Sequence, residues 1–385
     1  MTNPWQSPGG DVPPPPPQFG GYAAPPPPQL QQPVWAPPPK PGLIPLRPLT
    51  LGTMLGASFQ VMRRNPRPTF GLSLLFSSAV SVVTLAVIGG FAFFAFGRIQ
   101  AASDSDEGSI IAGSILGGGL TLLIPLAGGI VLTALLQGLI SLEVARATLG
   151  EKLNTRGLLR IARGRIGALV GWSFAIIGSV AVLFAVVTLA VTLLIAFGDT
   201  VGAVIGVLLA IGFVLLFTVV SVWIGTKVSL VPSVLLLERA TLRGAIVRSW
   251  TLTNRSFWKT LGIQLLVSVI ISAASQVITF PISLVSSLVT GIVVPTSDPT
   301  GAFVSIGITY LVLIFISLVI GAVGTVMQSA TATLIYLDLR MRREGLDLEL
   351  MRFVEARQAG DTTVIDPYLT VPGNAPPPPP TAPWA

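Results

Sequence analysis

Six stretches of this chain contain no Lys, Arg, Asp or Glu: residues 70–97, 109–142, 167–198, 200–226, 260–297 and 299–337. Each exceeds the roughly 20 apolar residues that a helix needs to cross a bilayer, so the pattern predicts six transmembrane helices. The stretches 109–142 and 299–337 are far longer than one crossing and must tilt, break or project from the membrane. Breaks are expected at Gly117-Gly118-Gly119, at Pro125 and at Phe280-Pro281, because irregular backbone inside a membrane must be covered by protein or face a wet cavity. The competing reading of the glycines, Gly113 and Gly117 included, is close helix packing.

The helices come as three hairpins. The descending helix of each ends on a leucine, an acid and a nearby arginine: Leu142-Glu143 with Arg146, Leu237-Glu238 with Arg239, and Leu337-Asp338 with Arg340. Gly71, Gly167 and Gly262 mark the start of each ascending helix at nearly the same period. Two independent sets of marks with one period indicate an internal repeat, with units about 43–146, 147–240 and 241–345. An acid near a helix C-terminus is disfavoured by the helix dipole unless a cation is close. Glu143, Glu238 and Asp338 are therefore expected to pair with arginines from among Arg63, Arg64, Arg160, Arg163, Arg248 and Arg340 as a structural charge ring.

A short amphipathic segment with basic residues precedes each hairpin and is expected to lie along the membrane interface. Leu51 to Arg64 is the first, stopped by Asn65-Pro66-Arg67-Pro68, and Thr155 to Arg163 is the second. In the third, Thr241 is a candidate N-cap and Leu242, Ala245, Ile246, Ser249 and Trp250 form one face. Arg63, Arg64, Arg160, Arg163, Arg243, Arg248 and Arg255, with Trp258, are the candidate lipid-headgroup contacts.

Charge then sets the orientation. The basic residues concentrate in 40–67, 144–166, 227–259 and beyond 339, whereas the opposite loops carry Asp104, Asp106, Glu107, Asp199 and Asp298. Positive loops stay on the cytoplasmic side, so both termini are expected there. The formal charge of +7 is an inner-face property whose partner is the anionic leaflet rather than nucleic acid. Residues 1–42 and 358–385 flank a six-helix domain, 43–357, as proline-rich tails expected to be disordered. With Trp5, Trp35 and Trp384 they read either as a solvated spacer with no fixed partner or as ligands for a cytoplasmic protein partner.

The residues argue against an enzyme. The chain has no His and no Cys, which removes Ser-His nucleophiles, thiol chemistry and zinc-type ligand sets, and it has no phosphate-binding loop. Asp104, Asp106 and Glu107 read as a solvated run rather than a metal site, so no cofactor or metal is expected. The spans carry no ionisable group, which disfavours proton coupling. Their polar candidates are Gln137, Gln264, Gln276 and Gln328 with several Ser and Thr.

The run Leu237-Glu238-Arg239-Ala240-Thr241-Leu242-Arg243-Gly244-Ala245-Ile246-Val247-Arg248-Ser249-Trp250 and the ending Tyr336-Leu337-Asp338-Leu339-Arg340-Met341-Arg342-Arg343-Glu344-Gly345 resemble a bacterial membrane-domain family. So does the lead-in Ile44-Pro45-Leu46-Arg47-Pro48. That family takes its name from the membrane domain attached to some glycerophosphoryl diester phosphodiesterases, and it is common as a stand-alone protein in actinobacteria. The resemblance implies a membrane module without the catalytic barrel. The reading is thus an all-α integral membrane protein of three interfacial-helix-plus-hairpin repeats. It is expected to act as a non-catalytic scaffold or accessory module that contacts anionic lipids and proteins. The alternative is a passive permease for a lipid or small solute, with a path lined by Gln137, Gln276 or Gln328.

Overall fold

A computed structural model describes residues 42–100, 107–197, 200–288, 299–361 and 363–369. Residues 1–41 and 370–385 of the proline-rich tails, the loop with Asp104 and Asp106, and the residues Asp199 and Asp298 lie outside them. The described chain is helical: α1 (Leu51–Arg64), α2 (Leu72–Gln100), α3 (Glu107–Thr148), α4 (Thr155–Ala162), α5 (Ile166–Phe197), α6 (Thr200–Val228), α7 (Val231–Leu237), α8 (Leu242–Asn254), α9 (Phe257–Leu288), α10 (Pro299–Glu344) and α11 (Leu346–Gln358). It is an integral membrane protein with six spanning helices, α2, α3, α5, α6, α9 and α10.

Local chemistry places the ends of the short helices. Thr50 caps α1 through a reciprocal capping box with Thr53. Thr241 caps α8 by accepting from the Gly244 amide. Arg239 adopts a left-handed φ of 50° that turns the chain out of α7, and Gly345, at φ 68°, does the same between α10 and α11. A π-helical turn, Arg67–Gly71, carries α1 into α2, and a tight turn, Arg163–Arg165, joins α4 to α5.

The expected breaks are not where the glycines and prolines suggested. α3 runs through Gly117 to Gly119 and Pro125, and α9 runs through Pro281. A proline inside a spanning helix is tolerated where hydroxyls and neighbouring helices serve the freed carbonyls. The break falls instead at Ser229-Leu230, between α6 and α7, with Pro232 in the first turn of α7. At 1.5 Å per residue, α3 and α10 are about 60–70 Å long and project beyond a hydrocarbon core of about 30 Å.

The core lies at the basic end of the hairpins. Ile140, Val144 and Ala145 of α3, Val231, Val234 and Leu235 of α7, and Val326, Ala330 and Leu334 of α10 are buried there with Ile44, Leu46 and Leu49 of the lead-in and Met54 and Val61 of α1. Toward the opposite end the hairpins present apolar side chains outward, such as Phe93, Leu215, Val277 and Phe315, as a lipid-facing surface requires. α3 packs against α10, α5 and α7, and α10 packs against α2 and α1. Two of the three seams between neighbouring hairpins are thereby closed, α3 on α5 and α10 on α2. The third, between α6 and α9, is sparsely packed.

Packing continues past the boundary expected at residue 357. Tyr368 is buried, its hydroxyl bonded to Thr148 and donating to the Ala145 carbonyl at 2.9 Å, while Asp366 pairs with Arg146. Burial pushes the Tyr368 phenol above its ordinary range.

Gly138 leaves room for side chains of two neighbouring helices to close over α3. A Cβ there would lie 2.7 Å from Cδ1 of Leu169 on α5 and 2.7 Å from Cδ1 of Leu236 on α7, so both neighbours would have to shift. Gly138→Val is expected to cost about 1–3 kcal/mol and to lower the thermal transition in detergent. Gly212→Val, where nothing lies within 4 Å, is expected to leave the transition unchanged.

Candidate functional site

The three marked acids lie at the basic end, with different partners. Glu238 caps α7. Its carboxylate accepts from Arg248 Nε of α8 at 3.1 and 3.2 Å and from the Tyr336 hydroxyl of α10 at 2.8 Å. Arg248 also pairs with Glu344 at 2.6 Å, and the wholly buried Arg340 donates to Glu344 at 2.9 Å and to Tyr336 at 3.1 Å. Burial alone would lower the Arg248 pKa, but Glu238 and Glu344 outweigh it and raise the value.

Asp338 accepts from the Leu49 amide at 2.8 Å, from Lys259 at 2.7 Å and from Arg342 at 2.9 Å. Its partners are therefore the first residues of α9 and its own helix rather than an interfacial-helix arginine. Glu143 accepts from Asn65 at 2.9 Å, and its other oxygen is buried without a partner. Arg64 turns inward to the Ala147 and Gly150 carbonyls, at 3.1 and 2.7 Å, where it caps α3. Two of the expected headgroup residues, Arg64 and Arg248, are thus engaged within the bundle. Arg63, Arg160, Arg163, Arg243 and Arg255 are exposed, and Trp258 is 80% exposed.

Immediately beyond this charged hub, toward the membrane centre, lies a chamber of about 520 Å³. Its polar walls are Thr133 and Gln137 of α3, Gln264, Ser268 and Ser272 of α9, and Thr325, Gln328 and Ser329 of α10. The broken backbone at Ser229 completes it. The break leaves the Ser229 carbonyl free of the helical ladder, and Gln137 Nε2 donates to it at 3.1 Å. Gln328 Nε2 donates to Ser268 at 3.1 Å, and Gln328 Oε1 is buried without a hydrogen-bond partner. Gln328 stands ten residues before Asp338, about 15 Å along the helix, which puts polar groups near mid-membrane. Gln276, expected on such a path, is exposed on α9 outside the chamber lining.

A second chamber, of about 460 Å³, adjoins the first through the shared residues Thr133 and Thr325. Its walls are mostly apolar, formed by Phe76, Val80, Leu132, Leu136, Leu313 and Ile314. Among the described residues none of α6 lines the polar chamber.

Among the described residues no group of three or more His, Cys, Asp or Glu is placed to hold a metal ion. Comparisons with protein-family models, curated proteins and solved structures find no match to this chain.

The hub yields a direct test of what holds it together. Glu238→Ala leaves Glu344 as the one carboxylate shared by the buried Arg340 and the half-buried Arg248, an excess of one positive charge, and is expected to cost about 3–5 kcal/mol in detergent unfolding. Arg343→Ala, whose exposed guanidinium bonds Thr251 and Ser256, is expected to stay within about 0.5 kcal/mol.

Proposed function

We propose that this protein handles a membrane amphiphile without catalysing a reaction on it, taking the polar part into the chamber between the hairpins. The observation that carries this reading is a chamber lined by amides and hydroxyls at membrane depth that adjoins a second chamber with a larger share of apolar side chains. A free solute has use for the polar one alone; a lipid fills both, with its head among Gln137, Gln264 and Gln328 and a chain along Val80, Leu132 and Ile314. Polar groups such as Gln328 Oε1 gain a partner when the head enters, which favours occupancy where no bulk water competes.

The exposed basic face favours a second activity at the same membrane. Arg63, Arg160, Arg163, Arg243 and Arg255 ring the basic end with Trp258 beside them, suited to anionic headgroups at about 1 kcal/mol per well-placed cation. On this reading the basic end and both termini face the cytoplasm of a bacterial cell, and the protein also serves as an anchoring scaffold. The resemblance to the membrane domain of glycerophosphoryl diester phosphodiesterases agrees with a lipid-proximal role.

Movement of a short-chain fluorescent lipid across proteoliposomes checks the proposal. The wild type is expected to accelerate it, and Ser272→Phe, which fills the polar chamber, to reduce the rate by about tenfold or more. Arg163→Gln with Arg243→Gln and Arg255→Gln is expected to leave the rate unchanged while lowering co-purified anionic lipid. A rate equal to protein-free vesicles would contradict the carrier reading and leave the scaffold.

A further inference from the structure

We infer that the polar chamber selects an uncharged, hydroxyl-bearing headgroup, that of a neutral glycerolipid such as diacylglycerol or its glycosides, over the phosphate of the surrounding phospholipids. The inference rests on the amphiphile reading and names its substrate class.

The lining decides the class. Its hydrogen-bonding side chains are three glutamine amides, four serine hydroxyls and two threonine hydroxyls, with no Lys, Arg, Asp or Glu among them. Amides and hydroxyls both donate and accept, which matches a polyol whose hydroxyls do the same. A phosphate offers only acceptors and a charge, and inside a membrane a charge without a counter-ion is costly.

The nearest cations are committed elsewhere. Lys227 sits two residues from Ser229 at the end of α6, yet its ammonium donates to Asn254 Oδ1 at 2.8 Å and lies over the rings of Trp250 and Phe257, 5.3 and 5.7 Å from their centroids. It is 4% exposed. It thereby ties the base of the α6–α9 seam and is closed to a ligand. Lys259, at the base of α9, is held by Asp338. The basic residues that could meet a phosphate lie on the outer rim of the hub, so the protein separates anionic groups at its surface from the neutral interior.

Geometry adds the route. The proposed entrance is the sparsely packed α6–α9 seam above the Lys227 tie, since no described residue of α6 lines the chamber. A lipid headgroup can slide in through it while the acyl chains stay in hydrocarbon. The volume falls within the roughly 300–1,000 Å³ usual for small-molecule sites.

The test is native mass spectrometry of the full-length protein from nanodiscs of phosphatidylcholine doped equally with dioleoylglycerol and phosphatidylglycerol. Variants Gln328→Leu, Gln264→Leu and Gln264→Arg are compared, with thermal transitions confirming that each is folded. In the part of wild-type retention that the leucine variants abolish, dioleoylglycerol is expected to exceed phosphatidylglycerol by about tenfold or more. Both leucine variants are expected to lose that retention, and Gln264→Arg, a fixed cation in the chamber, to move it toward phosphatidylglycerol. The variants are needed because phosphatidylglycerol held at the outer arginines is insensitive to them. Phosphatidylglycerol retained by the wild type and lost in the leucine variants overturns the neutral class while keeping the amphiphile reading. Retention of every lipid unchanged by all three variants overturns both.

Discussion

The cluster of Glu238, Arg248, Arg340 and Glu344 holds α7, α8 and α10 together at one end of the bundle, and the rest of the architecture follows from that single tie. Helices in a bilayer gain little from burying apolar surface against each other, since lipid tails are as apolar as leucine. Cohesion has to come from close packing, hydrogen bonds and charges. Here all three concentrate at the basic end, where Asp338 draws in the lead-in segment and α9, and Gly138 makes room for Leu169 of α5 and Leu236 of α7 against α3. Beyond it the hairpins carry their outward-facing apolar side chains into lipid, each helix keeping its hairpin partner.

A bundle fastened at one end leaves space where the fastening stops. The break at Ser229-Leu230 lies at that level and turns the chain of the second hairpin under the chamber, so α6 rises away from α9 while α7 stays in the core. The polar lining then belongs to the first and third hairpins, with the second supplying only Ser229 at its break. Because the lining lacks ionisable groups, nothing in it couples entry of a molecule to a proton. The proposed movement is passive and set by the gradient and by the seam.

Much of this fold was legible in the chain. The charge-free stretches located all six spanning helices, and α1 and α8 lie where periodicity and, for α8, the cap Thr241 put them. Glu238 with Arg248 was readable from the dipole argument. Other features depended on contacts that no local pattern encodes. Pro125 and Pro281 looked like breaks, but their helices continue; the true break has Ser229 and Pro232 as its only cues, at the edge of a charged segment. Asp338 met Lys259 because α9 starts beside the end of α10, seventy-nine positions away in sequence. The chamber gathers residues from Thr133 to Ala332, so Gln264 could be told from Gln276 only once the face of α9 was known.

Distances between spin labels measured by pulsed electron resonance in nanodiscs would test the central claim most directly, and the absence of native cysteine permits clean labelling. One pair, Leu216→Cys with Val269→Cys, spans the α6–α9 seam beyond the Lys227 tie; the other, Arg163→Cys with Arg243→Cys, reports on the hub. The account predicts a narrow distribution at the hub and a broad one across the seam that tightens when dioleoylglycerol is added. A seam distribution as narrow as that of the hub, and unmoved by lipid, would show hairpins packed along their full length and a chamber sealed from the bilayer.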